Sequence, residues 1–332
     1  IVLPIFFKET AVVADQRDAP DATLIAHSIQ QIQNEGGYSV PVGNEIVMPV
    51  TSFLNPAKGI GHFNLNYDMD GTARRERLLY EYNGLFFPSY TLRVAALYLN
   101  IPLEELKADI GSAIHIGSKV AVPTTLYSEM LISFKGPRDS FRSYSFFDVI
   151  NDKIPASVFK NKLVLVSPSA AGIMNPLSTP TDPTMPVGEF SAHTIWAMLN
   201  DTFIQKPPWA ELAELIAIIC IGILAAWVLP RLKAMLAGIV FMALLLLFIS
   251  GTAFAFASSG MWIPSMYPLL ELIICYIGVV SLSYFVTETH KDKVEGESAE
   301  TNRMLGLSFQ SQGMLDMAFD KFRRVPVNDE MK

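Results

Sequence analysis

An α/β external domain, a three-helix membrane bundle and an α-helical tail form the fold class that this 332-residue sequence predicts. Two observations carry that prediction. Residues 210–286 hold three apolar stretches, each long enough to cross a bilayer. Ahead of them, over residues 1–208, short apolar runs of strand length alternate with runs of helical spacing. Such alternation favours a mixed sheet covered by helices.

The spans run over about 210–229, 234–257 and 264–286. A helix needs about 20 mainly apolar residues to cross about 30 Å of hydrocarbon. The second span has no charged residue, whereas a soluble helix keeps a polar face. Glu211 and Glu214 shorten the apolar centre of the first span, and Glu271 stands in the third. A carboxylate is costly in lipid, so Glu271 either faces the bundle as a polar lock between helices or stays hydrated near the outer surface. Three spans place the flanking regions on opposite sides. Arg231 and Lys233 sit in the first loop, Lys291, Lys293 and Arg303 follow the third span, and residues 258–261 carry no charge. Basic residues next to spans stay inside, so residues 1–208 are expected outside and 287–332 inside. Trp209, Trp227, Trp262 and Tyr267 lie where interfacial aromatics belong.

The net charge of −7 divides as −4 over residues 1–208, −1 over the bundle and −2 over the tail. No segment has the basic excess of a nucleic-acid binder. Cys220 and Cys275 both fall in spans, so the external domain is expected to rest on an ordinary core without disulfides.

Along residues 1–208, Ile1–Phe7 reads as a buried interior strand and 22–35 as a helix with Leu24, Ile25, Ile29 and Ile32 on one face. Gly59–Leu65 and Ala73–Tyr82 read as two strands of a hairpin turned at Asp68–Gly71. Pro88–Leu99 is expected to be helical, Leu131–Lys135 a strand, Ser145–Ile150 a helical turn, Lys162–Ser167 a buried strand and Ser191–Leu199 a helix leading to the membrane. The opening strand and a C-terminus inside a helical repeat make a piece of a longer chain the expectation.

The run Gly61-His62-Phe63-Asn64, Asp68-Met69-Asp70-Gly71, Arg74-Arg75 and Pro88-Ser89-Tyr90, followed by Phe134–Pro137, Ser145–Ile150, Ile154-Pro155, Lys160–Ser167 and Ser178–Pro180, resembles the type-two CHASE extracellular sensory domain. The resemblance covers most of residues 1–200 and continues into the spans. It implies an extracytoplasmic sensor joined through membrane helices to a cytoplasmic output, with one further helix and further strands upstream. It implies a multi-pass protein of a bacterial inner (cytoplasmic) membrane whose N-terminal domain is periplasmic or extracellular, periplasmic where the cell is Gram-negative. Ser167-Pro168-Ser169 stands where the family commonly has Gly-Ala-Thr, Asn175 where it has an acid, and Ser191 and His193 where it has His then Asn.

The candidate ligand-binding residues are Ser167, Ser169, Asn175, Thr179 and His193, because ligands of open α/β sheets bind beyond the carboxyl ends of strands. Asp68, Asp70 and Gly71 read as turn formers with Arg74 and Arg75 pairing to them; a calcium loop would need further ligands where TARRERLL stands. No histidine has metal spacing, no cofactor motif occurs and no catalytic constellation is visible.

Thr287–Thr301 is a polar linker or a helical extension of the third span. Asn302–Pro326 resembles one tetratricopeptide repeat, with Leu305, Gly306, Phe309, Ala318 and Phe322 in the packing positions, so residues 302–332 are expected to be a partial repeat. The expected partners are the lipid bilayer, further copies of the chain or other membrane-protein subunits, and a cytoplasmic protein through the repeat. The leading expectation is a membrane sensory receptor, with no enzyme activity in this chain and a Ser/Thr kinase or cyclase further on. The alternative is a structural or accessory subunit that uses the sensor fold to dock onto a larger membrane complex.

Overall fold

The computed structural model describes residues 1–9, 22–170, 172–173, 175–232 and 234–325. They form two compact units, Ile1–Pro207 with Ala255–Trp262, and Pro208–Phe254 with Ile263–Lys332.

The first unit is α/β. In chain order it holds β1 (Val2–Lys8), α1 (Ala22–Ala26), β2 (Gln31–Gln33), β3 (Glu45–Val47), α2 (Thr51–Leu54), β4 (Gly59–His62), β5 (Arg75–Arg77), β6 (Leu79–Tyr82), β7 (Leu85–Pro88) and α3 (Tyr90–Tyr98). β8 (Leu106–Asp109), β9 (Ala113–Ile116), β10 (Val120–Pro123), β11 (Glu129–Ile132), α4 (Phe146–Ile150), α5 (Val187–Leu199) and β12 (Phe203–Ile204) follow. The strands make small sheets ordered β3-β1-β4, β10-β9-β8-β2, β12-β11-β5 and β6-β7.

Local chemistry explains several of these elements. β6 and β7 are joined by Asn83-Gly84, both at positive φ (49° and 77°). That is the two-residue turn whose twist matches paired strands. Ser89 caps α3 by accepting from the Leu92 amide at 3.2 Å, and the following Thr91–Ala96 are all buried. One core surrounds α3, with Leu92, Leu106, Ile114, Ile116, Met130 and Phe190 essentially inaccessible. A second, aromatic core joins Phe7, Tyr80 and Phe87, with Phe7 and Tyr80 stacked at 5.4 Å.

Four expectations are corrected. Residues 22–35 are helical only to Ala26; Ile32 then pairs with Ala108 as part of β2, because Gln-Ile-Gln also satisfies a period of two and a sheet edge receives it. β4 does not form a hairpin with 73–82. It pairs in parallel with β1, while β5 pairs with β11 and β6 with β7. β1 is central in its sheet, yet Phe6 on its outer face is exposed, so it is buried on one side only. Lys162–Ser167 forms no strand, and Val164 and Val166 are 52% and 77% exposed. An apolar alternation becomes a strand only where a neighbour pairs with it.

The second unit is helical. α6 (Ala210–Ile223) passes into a π-helical turn, Leu224–Val228, and a 3₁₀ turn, Leu229–Arg231. Pro230 lacks an amide hydrogen and crowds the carbonyl four residues back, which ends the regular helix there. Arg231 donates to the Trp227 carbonyl at 2.5 Å, a cation at the negative end of the helix. α7 (Ala234–Ser259) and α8 (Met266–Ser311) complete the set, and all three are long and apolar enough to cross a membrane. No more than 11% of any span's central window is buried within the chain, so the apolar surface faces outward, where lipid suits it. α8 continues through Thr287–Thr301 without a break and turns at Gly313 (φ 79°) into α9 (Leu315–Arg323). Lys233, one of the two basic residues of the first loop, lies outside the described residues, as does Pro326 at the end of the proposed repeat.

Candidate functional site

Strand β5 sorts three consecutive charges by face. Arg75 and Arg77 lie on one side; Glu76, between them, stands opposite Met130 of β11 and points into the core.

The outer side is an ion-pair network. Glu129, whose side chain is 6% exposed, accepts from Asn66 Nδ2 at 2.7 Å, Arg77 Nε at 3.3 Å and Arg75 Nη1 at 3.5 Å. Arg77 continues to Tyr80 Oη at 2.9 Å and to Glu9 at 3.2 Å. Arg75 also approaches Asp68 at 3.8 Å. Arg74 clamps the turn before β5, donating to Asp68 Oδ2 at 2.8 Å and to both Asp70 oxygens at 2.9 and 2.7 Å. Gly71 has φ 76°, its amide donates to the Asp68 carbonyl at 2.9 Å, and Asp70 Oδ1 accepts from the Thr72 amide at 3.0 Å. The Arg74 bonds hold the Asp70 carboxyl far below the ordinary range and raise the guanidinium in turn. Both carboxylates of the turn are therefore taken by arginine.

The inner side is the reverse case. Glu76 is 7% exposed and accepts a short hydrogen bond from Thr91 Oγ1. Thr91 Oγ1 lies 3.0 Å from Ser89 Oγ, and Ser89 Oγ takes the Leu92 amide. The Thr194 hydroxyl on α5 also lies beside the carboxyl, with its proton turned to the Phe190 carbonyl at 3.2 Å. Glu76 Oε2 has no partner of good geometry. Ser89, Thr91 and Thr194 are fully buried. Burial, only partly offset by these hydroxyls, pushes the Glu76 carboxyl up to about 7.

The sequence-predicted ligand residues do not converge. Ser167, Ser169 and Asn175 are exposed. Thr179 closes a turn, donating to the Asp182 carbonyl at 2.7 Å and accepting its amide at 3.1 Å. His193 is fully buried; its Nδ1 accepts from the Lys135 amide at 3.1 Å, and its ring packs on Phe141 and Phe134 at 4.9 and 5.4 Å. Burial, with the Lys135 charge adding, lowers it to about 4, so it is a neutral core histidine at physiological pH. His62 is a second one, edge-on to Tyr80 at 4.8 Å and lowered to about 3 by burial, with Arg77 adding. Among the described residues, no group of three or more His, Cys, Asp or Glu side chains is placed to hold a metal ion.

A CHASE2 domain family model matches residues 1–227. The chain belongs to the CHASE2 domain family. No curated protein and no solved structure matches it. The CHASE2 match runs through the first span as far as Trp227, the residue whose carbonyl Arg231 caps. Glu76, Glu129, Thr91 and Thr194 of the CHASE2 domain are absent from the sequence-predicted site. The available signal was Arg75-Glu76-Arg77 inside a strand-like run: a period of two puts Glu76 on the face of Leu78, which is buried.

In the helical unit, Glu271 lies at the α6–α8 contact. A Cβ on Gly222 would stand 3.3 Å from its Oε1, and Oε2 has no partner. In the tail, Gly306 packs on Phe322, whose ring a Cβ there would meet at 2.7 Å. Ala318 is 4% exposed, Leu305 is 40% exposed and Phe309 is half-buried.

Proposed function

We propose that this CHASE2 chain is a sensory receptor of a bacterial inner membrane, with its domain in the periplasm and α9 in the cytoplasm. A CHASE2 domain followed directly by three apolar helices is the observation that carries the reading. The orientation is supported by the loop between the second and third spans. Residues 255–262 belong to the compact unit of the CHASE2 domain: Gln205 donates to the Gly260 carbonyl at 3.0 Å and accepts from the Trp262 amide at 2.9 Å. That loop shares the domain's side, and the charged tail takes the other. The Gly306–Phe322 contact supports a first tetratricopeptide repeat, and exposed Leu315, Met317 and Phe319 on α9 supply apolar surface for a following repeat or a cytoplasmic protein partner. The chemistry of the output, a kinase or cyclase, lies outside this chain, which itself is not an enzyme on this reading.

A chimera tests it. Residues 1–311 fused to a cytoplasmic reporter cyclase should change output when the external medium changes. That response should vanish when residues 1–207 are exchanged for an unrelated domain. Equal, constant output from both chimeras sinks the sensory reading. Topology is checked in a chain whose Cys220 and Cys275 are replaced by Ala: Lys153→Cys should label from outside intact cells and Asp320→Cys should not.

A second reading has one observation in its favour. Phe146 and Phe147 are 65% and 63% exposed and share the CHASE2 domain's surface with exposed Val164 and Val166. Exposed apolar side chains of this kind suit a subunit that docks onto other membrane-protein subunits or a second copy.

A further inference from the structure

Strand β4 carries two glycines, two residues apart and so on one face, and that face meets α3. A Cβ on Gly61 would stand 2.7 Å from the Ser89 carbonyl oxygen and the Tyr90 backbone, and one on Gly59 would stand 2.5 Å from Arg93 Nε. The glycines let α3 settle onto the strand and let the Arg93 side chain lie across it at Gly59. α3 is buried from Thr91 to Ala96, so Arg93 is carried inward with its neighbours and is only 6% exposed.

The guanidinium arrives there without an anion. Nη2 donates to the Lys58 carbonyl at 3.2 Å, while Nε and Nη1 have no partner. Arg74, Arg75 and Arg77 are partly exposed, and each holds a carboxylate. Arg93, shielded from water, holds none among the described residues. An arginine is rarely buried unless it is paired, because its charge loses hydration and gains nothing in return. Burial holds the guanidinium below its ordinary value, and the Glu104 charge, which makes no ion pair with it, offsets this only in part. The carbonyl that Arg93 does reach belongs to the stretch 55–58, where Asn55, Pro56 and Lys58 are exposed. The guanidinium therefore lies just beneath the surface. Lys58 adds a second positive charge at that end of β4.

We propose that Arg93 anchors an anion site between α3 and the start of β4, which takes a small oxyanion, a carboxylate or phosphate group, with Lys58 as the second cation. Nε and Nη1 are the donors left for it. Hydrogen bonds from a guanidinium to such oxygens are roughly twice as strong as neutral ones. The occupied site supplies the counter-charge that the fold around Arg93 lacks. Binding is plain association, with no bond made or broken. The inference deepens the receptor reading by naming a class of ligand, and rests on that reading for its signalling meaning.

The test is thermal unfolding of the full chain in a non-ionic detergent, followed by near-ultraviolet circular dichroism. Inorganic phosphate, or acetate in a parallel series, replaces chloride at fixed pH and ionic strength. In one of the two series the wild-type midpoint should rise by roughly 3–5 °C for each tenfold of anion beyond half-occupancy. Arg93→Met should lose that rise. An equal rise in Arg93→Met is general stabilisation by an excluded salt and overturns the site. A wild type flat in both series also overturns it, and either result leaves the receptor reading in place. Lys58→Gln, at an exposed position, keeps the test open should Arg93→Met not fold. It should leave the midpoint in chloride unchanged and weaken anion binding by up to about fivefold; an unaltered anion response overturns the part given to Lys58. A rise produced only by phosphatidylglycerol added to the micelles supports the site and assigns it to a lipid headgroup. A rise in the midpoint with a reporter chimera silent to the same anion overturns the receptor reading alone.

Discussion

Asp70 and Glu76 are six residues apart in the CHASE2 domain, and their carboxyls are moved in opposite directions. Asp70 sits on an exposed turn with both oxygens on Arg74. Its carboxyl is depressed far below the ordinary range, although water surrounds it. Glu76 sits one strand later, shielded from water, with hydroxyls in place of a cation, and its carboxyl is raised to about 7. The difference teaches that a short strand separates compensation from desolvation by alternation alone: Arg75 and Arg77 stay with the outer carboxylates, and the residue between them cannot reach either.

The largest effect should come from removing the acid that collects the outer arginines. Glu129 is nearly inaccessible and receives Arg75, Arg77 and Asn66. Glu129→Ala leaves two guanidiniums without their anion. A fully buried pair would lose several kcal/mol; these arginines are 31% and 24% exposed, so solvent reduces the cost to about 2 kcal/mol. Thermal unfolding of the domain in the full chain, followed by near-ultraviolet circular dichroism, reads it. A loss no greater than that of an Asp70 substitution would mean that burial does not distinguish the two acids, and the comparison would fail.

The pH dependence sharpens the contrast next. Glu76 titrates near 7 when folded and near its ordinary value, about 4.5, when unfolded. Its stabilising contribution is complete below about pH 4.5 and is lost as pH rises through 7. His62 and His193 act with the opposite sign. Their folded values, about 3 and about 4, lie below the ordinary 6.5, so their contribution is present above pH 6.5 and is lost as pH falls through that range. Wild type should therefore show a shallow optimum between the two limbs. In Glu76→Gln the alkaline loss disappears, and the midpoint should climb from pH 4 to pH 7 and then hold level to pH 8. A variant that still falls between pH 6 and pH 8 would place the alkaline limb on some other group.

The same alternation explains what the sequence made legible. The three spans were readable because hydropathy is a local property that needs no partner. Gly71 at positive φ and the helix after Pro88 were readable for the same reason. Pairing is not local. Lys162–Ser167 and Ile1–Phe7 have similar apolar runs, yet only the second meets neighbouring strands on both sides. The ligand residues expected beyond the Lys162–Ser167 run are not brought together: Thr179 and His193 serve a turn and a core, and the serines lie in the open. Glu76 was legible in the Arg-Glu-Arg alternation, but its hydroxyl partners come from residues 89, 91 and 194, which no spacing brings together.

The smallest effect is expected at the turn. Asp70→Asn keeps an oxygen to accept from the Thr72 amide, and Asn suits the same turn conformations. What it loses is the charge paired with Arg74, on a surface where water and salt already screen the attraction. The thermal midpoint should stay within the scatter of replicate melts, and the small difference should vanish in high salt. Gly71→Val should cost more than Asp70→Asn, because Gly71 has φ 76° and a β-branched residue resists that region. A calcium site would reverse the order. Calcium would then raise the wild-type midpoint, chelator would lower it, and Asp70→Asn would abolish the response. Arg74 donating to both carboxylates argues for the first outcome, since a guanidinium and a divalent cation compete for the same oxygens and the arginine is part of the chain.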